Sequence, residues 1–345
     1  MRQKSGAGRR SLRKKCAFPN SLNIYKWNLQ ALLGRMTNSA RASAPGKLIL
    51  FGEHIVIYGE PAIATALDKR AYVTATELEN KKIVVRSKDL GTEIEASFKE
   101  QAKDPIVRAA QVALEKTKAN KGVQIEINSE IPISVGLGSS ASVSVATAAA
   151  VLKLFSEKEP SKFEIMTVAH EAEKIAHGNP SGVDTAITTF GGTIFFKKGE
   201  IEGLDAPQME IVIGNTKVSR NTKEIVENVK KIVEDPRVAY NLFTISSIVK
   251  RAREALLRSN LTEVGHLMNK NQEFLRALGV SSVELEQLIQ IANQAGAYDA
   301  KLTGAGGGGC MIALTDMPEK IQDALNKNGA EAFIAKTNQQ GVKYE

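Results

Sequence analysis

One stretch narrows what this chain can become: Pro132-Ile-Ser-Val-Gly-Leu-Gly-Ser-Ser-Ala-Ser142, a glycine turn that carries adjacent hydroxyls straight into the apolar run Val143 to Phe155. Gly136 and Gly138 let the backbone take conformations closed to other residues, which brings main-chain N–H groups near a ligand. The free N–H groups and positive dipole end of a following helix attract anions, phosphate above all. The same residues also describe a helix merely capped after a loop, because serine is a preferred N-cap with or without a ligand. The stretch demands a loop-to-helix junction and leaves its ligand open.

Charge looks at first like a second clue. The formal net charge is +8, but residues 1–35 hold nine of the 46 basic side chains and no acid, leaving 37 against 38 acids and a formal charge of −1 over the rest. The body is neutral, which argues against a nucleic-acid-binding or membrane-surface protein. The basic tail reads as a targeting peptide, a nucleic-acid arm or an extension upstream of Met36, and the extension is the expectation carried forward. Cys16 and Cys310 lie too far apart to suggest a disulfide framework, so a reducing, cytoplasmic setting is expected. No run of about 18 uninterrupted apolar residues occurs, so no membrane span is expected.

From Ala42 onward the pattern mixes strand and helix periods. Lys47 to Phe51 reads as a buried strand, followed by Gly52-Glu53-His54 and the apolar run Ile55 to Tyr58. Tyr72 to Glu77, Lys82 to Arg86 and Thr92 to Phe98 are short alternating or β-branched runs that suggest a meander, and Val123 to Ile127 is a further strand. Helical spacing covers Ile106 to Lys118, Val143 to Phe155 and Phe163 to His177. A second unit is expected to begin near Phe190-Gly191-Gly192. It holds strand Met209 to Gly214, helices Thr222 to Val233, Ala239 to Arg258, Leu261 to Leu278 and Val283 to Gln294, and strand-like Ala300 to Thr303 and Met311 to Leu314. Helix Glu319 to Lys327 and strand Ala332 to Thr337 close it.

Chemistry-bearing residues gather in four places. Ala44-Pro45-Gly46-Lys47 precedes Gly52-Glu53-His54, and Glu171-Ala-Glu173 precedes a turn that ends at Asp184. The glycine turn at 136–138 is the third, and Lys301-Leu-Thr-Gly-Ala-Gly-Gly-Gly-Gly-Cys310 is the fourth. That last loop matches G-x-G-x-x-G, but only 36 residues follow Gly309 and a strand rather than a helix is expected to leave it, so a dinucleotide-binding domain does not fit. Phosphoryl transfer calls for backbone donors around phosphates, a hydroxyl and a carboxylate for Mg²⁺, a cation, and a carboxylate near the attacking hydroxyl. All of these parts are present.

Three segments in order, Pro45-Gly-Lys-Leu-Ile-Leu-Phe-Gly-Glu-His-Ile-Val-Ile-Tyr-Gly59, Ile131-Pro-Ile-Ser-Val-Gly-Leu-Gly-Ser-Ser-Ala141 and Lys301 to Gly309, resemble the signature motifs of the GHMP small-molecule kinases. The resemblance runs from about residue 40 to the C-terminus. Tyr58-Gly59 after Gly-Glu-His, and His177-Gly-Asn-Pro-Ser-Gly-Val-Asp184, are closest to the mevalonate kinase branch; phosphomevalonate kinases tend to carry Gly-Glu-Tyr instead.

That resemblance implies an α+β GHMP kinase fold: a basic extension at 1–35, an ATP-binding domain at 36–190 like the second domain of ribosomal protein S5, and a ferredoxin-like domain at 191–345. It implies ATP and Mg²⁺ as cofactors and mevalonate as the small-molecule partner, with no nucleic acid or membrane and a homodimer left open. Asp184 would accept or orient the proton of the acceptor hydroxyl, with Lys47 beside it. Ser134, Val135, Gly136, Leu137, Gly138, Ser139 and Ser140 would wrap the ATP phosphates, and Ser140 with Glu173 would hold Mg²⁺. His54, Arg220 and Thr222 would face the acceptor. The loop Gly304 to Gly309 would support the phosphate turn and the floor of the site without taking part in chemistry.

Overall fold

A computed structural model describes residues 38–345 apart from 133–135, 178–179, 219–221 and 235; the side chains of 177, 223 and 236–243 are likewise outside the description. The basic extension, with Cys16, also falls outside it, as do Ser134, Val135 and Arg220.

Two sheets carry the fold. The first strand, β1 (Ser39–Phe51), is buried from Ala42 to its end, and it pairs antiparallel along β2 (Ala62–Leu78). The register shifts between Pro45 and Lys47. At that irregularity the Lys47 N–H leaves the ladder and donates to the Leu137 carbonyl at 2.9 Å, tying the strand to the glycine turn. β2 serves two neighbours in succession: its first half pairs with β6 (Thr193–Lys197) and its second with β5 (Gly122–Ser129). β3 (Lys82–Ser87) and β4 (Thr92–Ser97) form a hairpin beyond β5, and β7 (Glu200–Leu204) lies outside β6.

The expected meander is therefore corrected. β3 and β4 are consecutive neighbours, but β5 slips between β2 and β3 and runs parallel to β3. The helix α1 (Pro105–Thr117), between β4 and β5, makes this possible, because it carries the chain back to the start of the sheet and permits a parallel pairing. Asp104 caps α1, accepting from the Ile106 and Val107 N–H groups at 2.8 and 3.1 Å.

The glycine turn launches α2 (Ser139–Phe155), which is buried on nearly every side: Ala141, Val145, Ala146, Ala148, Ala149, Ala150 and Val151 are at most 2% exposed. A helix apolar all round is a core helix. Its small side chains let it lie close against β1 and β2, with α1 and α3 (Lys162–His177) beside it. The next helix, α4 (Val183–Phe190), rests on a separate apolar cluster of Ile49, Ala64, Ala66, Ile194 and Phe196, between the first two strands and β6.

The second sheet has the order β11-β8-β10-β9, all antiparallel, built from β8 (Glu210–Asn215), β9 (Asp299–Leu302), β10 (Cys310–Leu314) and β11 (Glu331–Lys336). Helices α5 (Thr222–Val233), α6 (Pro236–Leu257), α7 (Leu261–Ala277) and α8 (Val283–Gln294) lie between β8 and β9, and α9 (Pro318–Lys327) between β10 and β11. Reduced to its crossings this is β-α-β-β-α-β, the ferredoxin-like arrangement. The two halves interleave at the strand level, since β6 and β7 extend the first sheet and the terminal β12 (Lys343–Tyr344) returns to pair with β1. Arg70, 8% exposed, fastens that return by donating to the carbonyls of Gln340 and Gly341 at 2.8 Å each.

Candidate active site

The site grows from the junction foreseen in the sequence. The N-cap of α2 is Gly138, at φ 76, and it offers no side-chain cap. Ser139 and Ser140 are thus first-turn residues rather than caps, and the first N–H groups of a helix have no partner within it. Gly138 is glycine for a spatial reason as well: a Cβ there would lie 2.5 Å from Lys47 Cγ. Ser142, fully buried, clamps the junction by donating to the carbonyls of Pro45 and Gly138 at 2.6 and 2.9 Å.

Lys47 runs across the turn and ends at Asp184, Nζ to Oδ1 2.9 Å. Its side chain is 6% exposed and that of Asp184 30%, so the carboxylate opens to solvent while the ammonium is held beneath it. Asp184 occupies the first turn of α4 behind Gly182 at φ 85, which turns the chain sharply enough to present it.

Glu173, 3% exposed on α3, stands in the same group. Burial, reinforced by the neighbouring Asp184 charge and opposed by Lys47, pushes its carboxyl up to about 8. Its Oε2 atom is buried without a hydrogen-bond partner, and the nearest cationic candidate, His170 Nδ1, is 4.0 Å away, beyond hydrogen-bonding range. An orphaned buried carboxylate oxygen is costly unless a ligand completes it. Among the described residues no group of three or more His, Cys, Asp and Glu side chains could hold a metal by itself. Magnesium does not require one, because it is commonly held by one or two carboxylates together with substrate phosphates.

A cavity of about 600 Å³ unites these parts: Lys47, Gly136, Gly138, Ser139, Ser140, Glu173 and Asp184 line it, together with Thr222, Gly304 and Ala305. The lining from the β3–β4 hairpin, α1 and β5 forms a more apolar end, with Val85, Leu90, Ile94, Ile106 and Ile127 alongside Asp89 and Asp104. Leu137 is 1% exposed and serves the core, with its carbonyl on Lys47. His54 does not line the cavity: it is 7% exposed, and its Nε2–H donates to the Ala305 carbonyl at 3.0 Å, one residue behind the wall. The glycines after Ala305 fit where no Cβ could, Gly306 against the Val280 carbonyl (2.1 Å) and Gly307 against Ile225 (2.5 Å), which seats the loop beside α5.

Sequence reasoning placed Ala305 only within the supporting loop Gly304 to Gly309, and it missed the apolar end and a buried pair behind the wall, Glu53 with Lys301. The pair did have a signal, since both residues fall inside the quoted motifs; the apolar end had none, because its members come from four separate elements.

Family comparison agrees with the geometry. GHMP kinases N terminal domain matches residues 104–192 and GHMP kinases C terminal matches 252–331. A curated mevalonate kinase of Thermococcus sibiricus is 38% identical over 328 residues, covering 88% of this chain and 98% of that protein. The crystal structure of Methanococcus jannaschii mevalonate kinase superposes with a TM-score of 0.76 at 30% identity, covering 88% of this chain and all of that one. That of L. major mevalonate kinase in complex with R-mevalonate gives 0.75 at 27% identity, covering 88% and 98%. The chain belongs to the GHMP kinases, in the mevalonate kinase family.

Proposed function

We propose that this chain transfers the γ-phosphoryl group of ATP to the 5-hydroxyl of (R)-mevalonate, giving 5-phosphomevalonate and ADP. The observation that carries the reading is the Lys47–Asp184 pair, 2.9 Å apart on the wall of a cavity that also holds the glycine turn and Glu173. Phosphoryl transfer proceeds through a loose transition state, so positioning and charge neutralisation supply most of the rate.

Asp184 accepts the hydrogen bond of the acceptor hydroxyl and takes its proton as the new O–P bond forms. Lys47 balances the negative charge that gathers on that oxygen and on the transferred group. The N–H groups at the start of α2, with Gly136 and Gly138, cradle the ATP phosphates; Ser134 and Val135 belong to the same turn by sequence. The apolar end of the cavity suits the nucleoside. Thr222 and Ala305 form the acceptor side, His54 supports it through Ala305, and Arg220 joins it by sequence.

Ser140 and Glu173 fit Mg²⁺, on the strength of the orphaned Glu173 Oε2 and the Ser140 hydroxyl on the same cavity. Bound there, Mg²⁺ neutralises phosphate charge. Among the described residues no helix is long and apolar enough to cross a membrane, and a cytoplasmic setting goes with the reading.

A coupled ADP-release assay over mevalonate, phosphomevalonate, homoserine and galactose tests the function. Mevalonate is expected to give the highest kcat/KM by orders of magnitude, and preference for phosphomevalonate would replace this reading with that of the neighbouring kinase.

A further inference from the structure

We propose that the buried Glu53–Lys301 ion pair, with Asn271, is a positioning device that sets the acceptor-side wall of the cavity. The claim rests on the functional reading above, because it assigns the His54–Ala305 side to the acceptor alcohol.

Both side chains of the pair are fully buried, and they join the segment after β1 to the strand β9 that feeds the glycine loop. Lys301 Nζ donates to Glu53 Oε1 and also to the Leu302 carbonyl at 2.6 Å. Asn271 of α7, itself fully buried, donates to Glu53 Oε2 at 3.3 Å. Charges this deep cost several kcal/mol of desolvation each, so a chain without need of them would do as well with apolar side chains of the same volume. Burial alone pulls the Lys301 ammonium below the ordinary lysine range, and Glu53 opposes that pull.

The pair's neighbours show what the expense achieves. Glu53 points inward, which leaves His54 at φ 63 and ψ −40, a conformation rare for a residue with a side chain. Strained backbone of this kind persists only where its surroundings over-determine it. From there His54 Nε2 donates to Ala305, and Thr303 Oγ1 donates to the Ile49 carbonyl at 3.0 Å. Residues 49–54 and 301–305 are thus stapled at three points, and the outermost staple holds the carbonyl of Ala305, which lines the cavity. The glycine turn is held by bonds of its own, Lys47 N–H to the Leu137 carbonyl and Ser142 Oγ to the carbonyls of Pro45 and Gly138, so loosening the staple is expected to move the acceptor side and leave the phosphate turn in place.

Three full-length variants test this: Glu53→Gln, the paired Glu53→Met/Lys301→Met, which removes both charges at similar volume, and Asn271→Ala. Each is read by thermal unfolding, by kcat and KM for mevalonate, and by the Kd of a non-hydrolysable ATP analogue. The paired variant is expected to unfold no earlier than wild type, to lose about 10²-fold in kcat/KM for mevalonate, and to bind the analogue within about twofold of wild type. Asn271→Ala is expected to shift the same parameters in the same direction by about tenfold, and Glu53→Gln to lie between. A folded paired variant with wild-type mevalonate kinetics overturns the proposal, and so does an equal loss toward both substrates. If the paired variant does not fold, unchanged mevalonate kinetics in Asn271→Ala overturns it. A wild type that ignores mevalonate refutes the functional reading alone, and the positioning claim is then read on whichever alcohol the wild type phosphorylates.

Discussion

Gly138→Ala probes the junction of turn, cation and carboxylate with a single methyl group. The added carbon lies 2.5 Å from Lys47 Cγ, 3.0 Å from Cε and 3.3 Å from Cδ. Carbon atoms in contact settle about 3.5–4.0 Å apart, so Cγ must retreat by about 1 Å. Because Cγ is near the root of the side chain, the displacement carries through to Nζ and opens the 2.9 Å contact with Asp184 beyond hydrogen-bond length. A misplacement of about 1 Å at a reacting centre costs about 10²-fold in rate, or roughly 2.7 kcal/mol of barrier. Stability falls too, by about 1–2 kcal/mol for an L-residue at φ 76 and about 1–3 kcal/mol for the overlap. The assay is kcat at saturating ATP and mevalonate, taken with the unfolding midpoint of the same preparation. A folded Gly138→Ala enzyme with kcat within about twofold of wild type would refute the claim that the turn, Lys47 and Asp184 act as one unit.

Asp184→Asn preserves shape and removes the proton acceptor; kcat is expected to fall by at least about 10²-fold while the Kd of an ATP analogue, measured by calorimetry, stays near wild type. Glu173→Gln is expected to weaken Mg²⁺ dependence and to abolish its pH slope. In the wild type the carboxyl pushed up to about 8 must lose its proton to receive a cation, so apparent Mg²⁺ affinity rises about tenfold per pH unit toward pH 8 and then levels, as read from activity against Mg²⁺ concentration. The linked stability effect has the opposite sign: the metal-free wild type loses stability as pH rises from the ordinary carboxylate range toward about 8, and Glu173→Gln does not, which thermal unfolding across that range checks. Gly306→Ala sets a Cβ 2.1 Å from the Val280 carbonyl at φ 77, and its expected result is a fall of several degrees in the unfolding midpoint.

Helices with clear periodicity were legible in the sequence: Thr222–Val233 and Val283–Gln294 match their expected bounds. Less visible was α4, because Val-Asp-Thr-Ala-Ile-Thr-Thr-Phe is rich in β-branched residues that favour strands in isolation. Its seat on Ile49, Ala64 and Phe196 overrides that preference, and Thr188 Oγ1 satisfies the Asp184 carbonyl at 2.7 Å. The run Ile55–Tyr58 turns as a short 3₁₀ helix, fixed by Gly59 at φ 79. β6 and β7 escaped notice since strands of five residues carry little pattern of their own, and β12 because its two residues pair only with β1. The site itself was readable wherever chemistry and backbone coincide, at Lys47, the glycine turn, Glu173 and Asp184. It was unreadable where tertiary folding alone creates it, as with the apolar end of the cavity and the place of His54 behind Ala305.

Phosphorus NMR of the reaction product addresses the proposed chemistry most directly. Incubation with ATP, Mg²⁺ and (R)-mevalonate is expected to yield one new phosphomonoester whose phosphorus couples to the two protons of the C5 methylene, with ADP formed in equal amount. A product lacking that methylene coupling, phosphorylated at the C3 oxygen or on the carboxylate, or ADP released with no phosphorylated mevalonate, would contradict it.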